Sequence, residues 1–189
     1  MEAQIGFELL MSISHCFEGG AAVVALESAD KYDAFRELIR RASVFDEVTD
    51  RTALENAVVE REKDQCTGLG HGVAVAHGRL EAAHRVVVGL GISRAGISYD
   101  SPDGNPVHLL FLIASPTHMN LDYLQALSTV VRIVRDPGLR EELLSLPSSS
   151  EVERRIRDAF LRLLGRISSA ANPGAVSATV PEAACSPVR

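Results

Sequence analysis

The chain has 189 residues and a mass of 20.3 kDa, with 46% apolar and 23% charged residues, a composition that excludes wholesale disorder and allows a core without disulfide or metal staples. Its longest apolar run, 107–114, includes His108 and falls far short of the ~20 residues of a spanning helix, so no stable membrane insertion is expected. A net charge of -6 and a pI near 5.5 disfavour a nucleic-acid partner. No basic region precedes the first apolar run, so a cytoplasmic location is expected and no secretory leader.

The first residues, up to Ser14, fit either a short helix or a strand. An apolar segment at 21–26, preceded by Gly19-Gly20, predicts the first strand. Over 30–42, Tyr32, Phe35, Leu38 and Ile39 recur at helical spacing behind Asp30, a capping residue. A second helix is predicted from Thr52, which has Glu55 at capping-box spacing and Leu54, Ala57 and Val58 on one face, ending at 61–63. Residues 67–72, with Gly68, Gly70 and Gly72, read as a loop whose backbone can approach a ligand closely. Short apolar runs at 73–76, 86–90 and 107–114 read as strands. Leu124, Leu127, Val131 and Val134 then form a helical stripe, which Asp136-Pro137-Gly138 stops. A short helix at 139–144 precedes a long one opened by Ser150 and Glu153, with Val152, Ile156, Ala159, Phe160 and Leu163 on one face. Beyond Ile167 the composition turns to Ser, Ala, Pro, Val and Gly, so 168–189 is expected to be a disordered tail. Together these elements predict an α/β domain with helices covering a small sheet.

Cys16, Cys66 and Cys185 are odd in number and widely spaced, which implies no disulfide framework. Lys31 and Lys63 are the only lysines, so nearly all positive charge is guanidinium, the group that matches carboxylate and phosphate bidentately. Reactive side chains concentrate in 66–79, for which three readings compete. Cys66, His71 and His77 could ligate a metal, although no paired-ligand spacing is present. A nucleotide loop is disfavoured, because neither glycine-rich phosphate signature occurs. The third reading makes His77 a nucleophile at a strand end. A neutral imidazole nitrogen attacks phosphorus and later releases the phosphoryl group, while glycine-turn N–H groups and guanidinium hold its oxygens. Gly72, Gly78, Arg61 and Arg79 are candidates for that holding role.

Arg61-Glu62-Lys63, the segment Cys66-Thr67-Gly68-Leu69-Gly70-His71-Gly72 and the strand running into His77-Gly78-Arg79 resemble the enzyme IIA domain of the phosphoenolpyruvate-dependent phosphotransferase system, in its mannitol/fructose and nitrogen-regulatory branch. The stretch 97–109 is similar to the family's lead into a central strand, and 124–144, with Arg135-Asp136, to its late helical region. On this resemblance residues 1–167 form one domain, a small mixed sheet flanked by helices on both sides. His77 falls on the phosphorylated position, and Arg61 would stabilise the phosphoryl oxygens. Ala76 stands where the family has proline, and Tyr123 where many members carry a second histidine. His118 could substitute for that histidine, and His71 is read as a loop residue near the site. His15, His84 and His108 are read as structural or surface residues, and Cys66 as a small replacement for serine.

The resemblance implies a phosphocarrier that needs no metal, nucleotide or organic cofactor. Its partners would be an HPr-type phosphocarrier and either a sugar IIB component or a regulated target protein. A non-catalytic module of the same fold that binds target proteins is the alternative, motivated by Ala76 and Tyr123. A metal-dependent hydrolase built on Cys66, His71 and His77 is a third class.

Overall fold

The computed structural model describes residues 21–171. His15, Cys16, Cys185, the segment up to Ser14 and most of the expected tail lie outside the described residues.

The first strand, β1 (Val23–Ala25), leads into α1 (Lys31–Arg41). Asp30 caps α1 by accepting from the N–H groups of Tyr32 and Asp33, as its side-chain chemistry predicts. A 3₁₀ turn at Ser43–Glu47 buries Val44 and Phe45 and precedes α2 (Arg51–Asp64). The α2 cap is Asp50, which accepts from Ala53 N–H, not Thr52. Thr52 sits inside the first turn, so the Thr52–Glu55 spacing is fortuitous.

Next come β2 (Gly68–Gly70), β3 (Val73–Arg79), β4 (Val87–Ile97) and β5 (Val107–Ser115). The glycine segment expected as a loop is a short strand with an irregular register against β3. The strand expected to stop at Leu90 continues through Gly91 to Ile97. After β5 follow α3 (Asn120–Ile133), α4 (Pro137–Ser145) and α5 (Ser149–Ala171). Asp136-Pro137-Gly138 both ends α3 and starts α4. Asp136 accepts from Gly138 N–H, and Pro137 occupies the first turn, where its missing N–H costs nothing.

On α3 the buried stripe is Tyr123, Ala126, Val130 and Ile133, whereas Leu124 is 55% exposed. The helix is therefore turned about one position from the predicted face. The start of α5 differs too: Ser148 Oγ accepts from Glu151 N–H, while Glu153 accepts instead from Ala22 N–H at 3.2 Å. This last helix also runs to Ala171, past the point where the tail was expected to begin.

The strands form a mixed sheet of order β1-β4-β5-β3-β2. β1 pairs parallel to β4, β4 antiparallel to β5, β5 parallel to β3, and β3 antiparallel to β2. Its central strands are continuous apolar runs because both faces are covered: α1 packs on β4, α2 on β3, α3 on β5 and α5 on β1. Phe35, Phe45, Phe111 and Phe160 are fully buried in the shared core, each worth about 2–3 kcal/mol in burial.

Two features of β3 position the site. Its pairing with β2 covers only Val73 and Ala74, and Val75 N–H donates to Thr67 O. Beyond that point the same edge has no strand partner among the described residues. At Gly78, α2 lies so close that an added Cβ would meet Val58 Cγ2 at 2.9 Å and Leu54 Cδ1 at 3.1 Å. Glycine there lets α2 approach β3, and alternation along the strand turns His77 and Arg79 to the opposite face.

Candidate functional site

An open pocket of about 450 Å³ lies at this free edge, lined by Ala57, Arg61 and Asp64 from α2, His77 and Arg79 from β3, and Tyr123 from α3. Arg61, His77, Arg79 and Tyr123, scattered over the sequence, thus meet in one place. The His77 ring is half-buried, and its Nδ1 lies 3.2 Å from Val75 O. A carbonyl only accepts, so Nδ1 carries the proton and Nε2 keeps its lone pair. Burial lowers the His77 pKa, opposed by the Val75 carbonyl; the Arg61 charge lowers it further, and Glu62 acts in the opposite sense. The neutral, nucleophilic ring is therefore favoured.

Tyr123 packs against this ring, with centroids 5.6 Å apart and planes at 48°. Its phenol pKa is raised by burial, against the pull of Arg61 and Arg79, so it is a hydrogen-bond donor and not an anion. The Arg79 guanidinium lies 5.3 Å from the Tyr123 centroid and donates to Thr117 O and Asn120 Oδ1. Arg79 thereby fixes the entry to α3, and with it Tyr123. Arg61 Nη1 donates to Gln65 O at 3.0 Å, across the end of its own helix. That engages one of five guanidinium N–H groups and leaves others for an anion.

Behind Arg61, Glu62 is 3% exposed. Its Oε2 accepts from Thr67 N–H at 3.1 Å, Thr67 Oγ1 at 2.5 Å and Tyr99 Oη at 3.1 Å, and its Oε1 lies 3.4 Å from Lys31 Nζ. Lys31 also pairs with Asp100 at 2.7 Å. This network clamps the end of α2 to β2 and α1. The sequence reading gave Glu62 no role of its own and did not find Asn120, because their partners are far apart in the chain. An acidic residue at the inward-facing end of an amphipathic helix was the available signal for Glu62.

Other predicted positions lie elsewhere. His71 is exposed in the β2–β3 turn with φ 55°, at the opposite end of β3 from His77, and so is not beside the site as expected. Gly72, with φ 74°, shares that turn. Gly78 serves helix packing, as above. His118 is exposed in the β5–α3 connection and does not line the pocket. Cys66 Sγ donates to Asp100 O at 2.9 Å and accepts from Gly68 N–H, hydrogen bonding as a hydroxyl would, and burial pushes its thiol pKa up. Among the described residues no group of three His, Cys, Asp or Glu side chains converges on a metal position, so Cys66, His71 and His77 do not form the metal site considered from sequence. No helix among the described residues is long and apolar enough to cross a membrane.

A mixed five-stranded sheet thus presents a histidine at the open edge of an inner strand, in a pocket shared with a guanidinium from the preceding helix. Residues 16–159 match the family described as "Phosphoenolpyruvate-dependent sugar phosphotransferase system, EIIA 2", and the chain belongs to that family. It is 34% identical over 133 residues to the PTS system fructose-specific EIIA component of Haloferax volcanii, covering 69% of this chain and 86% of that protein. The PTS system fructose-specific EIIABC component of Bacillus subtilis is 30% identical over 127 residues, 67% of this chain, but the chain spans only 20% of that longer protein. Among solved structures, the nitrogen regulatory protein IIA-Ntr of Neisseria meningitidis superposes with a TM-score of 0.65 at 28% identity, over 81% of this chain and 99% of that one.

Proposed function

We propose that this IIA domain is a phosphocarrier in the cytoplasm. His77 accepts a phosphoryl group from an HPr-type donor and passes it to a IIB component, or holds it as a regulatory signal read by a target protein, as in the nitrogen-regulatory type. The supporting observation is the His77 ring itself, held by Nδ1–H donation to Val75 O with Nε2 free in a pocket that also contains Arg61 and Tyr123.

In the accepting step the Nε2 lone pair attacks phosphorus, the phosphorus–nitrogen bond of the donor phosphohistidine breaks, and the donor imidazole leaves with that electron pair. The Nδ1 proton stays on His77 throughout, facing the Val75 carbonyl. Arg61 stabilises the equatorial oxygens, where charge gathers in the loose transition state. Tyr123 donates a single neutral hydrogen bond, so charge neutralisation falls on Arg61. The delivering step is the reverse, with an acceptor nucleophile in place of the donor. Arg79, already engaged by Thr117 and Asn120, acts as a positioning residue, and Gly72, His71 and His118 take no part.

Intact mass after incubation with phosphoenolpyruvate, enzyme I and HPr tests this reading. One acid-labile phosphoryl group on the wild-type chain and none on His77→Ala is the expected result. Labelling that persists in His77→Ala refutes the site. An unlabelled wild type, with partners active on a control, leaves the non-catalytic binding module as the function.

A further inference from the structure

A second cavity of about 420 Å³ opens at the far end of β3, between the β2–β3 turn and the α3–α4 junction, a volume within the range of small-molecule sites. Its walls are apolar: Leu69 and Val73 from the hairpin, and Val131, Val134 and Pro137 from the helices. Its polar side chains are His71, Arg135 and Arg140, and no carboxylate lines it. In a chain of net charge -6, two guanidinium groups over an apolar floor are a local reversal of sign.

The two arginines are placed differently. Arg140 Nη1 donates to Val134 O at 2.7 Å, which holds its guanidinium against the wall with other donors unused. Arg135 is exposed and has no hydrogen-bond or ion-pair partner among the described residues. The hairpin side is fixed too: Gly70, His71 and Gly72 take φ values of 79°, 55° and 74°, a left-handed run that few residues other than glycine adopt. His71 N–H donates to Asp103 Oδ2 at 2.7 Å, which holds the turn in this shape.

We infer that this cavity binds a small organic anion, with an apolar body between Leu69, Val73, Val131 and Pro137 and a carboxylate or phosphate head taken by Arg135 and Arg140. Planar guanidinium groups match both heads bidentately, and the apolar walls demand a body that an inorganic ion lacks. The site is separate from the phosphocarrier pocket. Val73 and His77 stand four positions apart on β3, ~13 Å at the strand rise.

The test is an amide NMR titration of the full chain with phenyl phosphate and with phenylacetate, using benzyl alcohol as the neutral control. Saturable shifts centred on Gly70, His71, Val73 and Val134 are expected with at least one anion, and comparison of the two identifies the preferred head. Arg135→Gln, which breaks no internal contact, weakens binding about tenfold; Arg135→Gln with Arg140→Gln abolishes it; His77→Ala leaves it unchanged. Shifts confined to Arg61, His77 and Tyr123 overturn the inference. So do equal binding of benzyl alcohol, full affinity in Arg135→Gln, or no saturable shift with either anion. None of these outcomes bears on labelling of His77, which is read separately.

Discussion

The two ends of β3 each carry a histidine beside a glycine, yet they are chemically unlike. At one end His77 is half-buried, its tautomer fixed by Val75 O, its ring packed on Tyr123 and its proton affinity lowered by burial and by Arg61. At the other, His71 is exposed and held through its backbone, by Asp103. The residue type is shared, and the environment suits one of them to the nucleophilic role proposed for it. What surrounds His77 is assembled from α2 and α3, so the setting of its ring is a property of tertiary packing.

The strongest way to break this contrast is to exchange which end is labelled. His77→Ala is expected to abolish phosphoryl acceptance, while His71→Ala leaves it intact, both read by intact mass. Next in size is the support behind the site. Glu62→Ala leaves the Thr67 and Tyr99 hydroxyls without their acceptor and Lys31 short of a counter-charge. It should lower stability by about 3–5 kcal/mol, read as a shifted denaturant midpoint. Arg61→Ala removes the guanidinium that shares the His77 pocket from α2 and should slow transfer in both directions by about 10²-fold, the scale of losing one preorganised oxyanion donor; rapid-quench labelling measures it. Gly78→Ala pushes α2 off β3 and should destabilise by about 1–3 kcal/mol, with a matching loss of transfer rate as Arg61 moves away.

The smallest effect concerns pH. The folded-state pKa of His77 is depressed, so the folded chain binds this proton less readily than the unfolded one. The resulting stability penalty is absent above the ordinary histidine value of about 6.5 and grows as pH falls below it. Phosphoryl acceptance should stay flat down to that pH and decline only in more acidic solution. In Arg61→Ala the decline should begin at higher pH, because a charge that opposes protonation is gone. Proton NMR titration of the His77 ring follows both midpoints.

Much of this was legible in the sequence where the signal is local. Asp30 caps a helix because its own carboxylate reaches N–H groups two and three residues on, and the apolar runs of β3 and β5 need no partner to be recognised. The segment around His77 was distinguishable because its glycines, histidines and neighbouring arginine lie close in sequence. Misreadings arose where several local signals were equally good. Thr52 and Asp50 both suit a cap, and only chain geometry selects Asp50. The α3 face is off by one position: Tyr123 is buried and packs on His77, while Leu124 faces solvent, and the stripe of leucines and valines alone does not distinguish the two settings. Asn120, which reaches Arg79 across 41 residues, and the Glu62 clamp, spanning Lys31, Thr67 and Tyr99, depend on contacts that no window of sequence contains.

The hydrogen bond from Ala22 N–H to Glu153, across 131 residues, bears on the order of assembly. Among the described residues β1 is an edge strand of three residues, paired with β4 and packed beneath α5. It is synthesised before any of these partners exists, and long loops delay the contacts they close. The earliest strand among the described residues is therefore among the last to settle, and a ribosome-bound nascent chain lacking α5 should leave the β1 amides open to exchange while β3 and β5 are already protected.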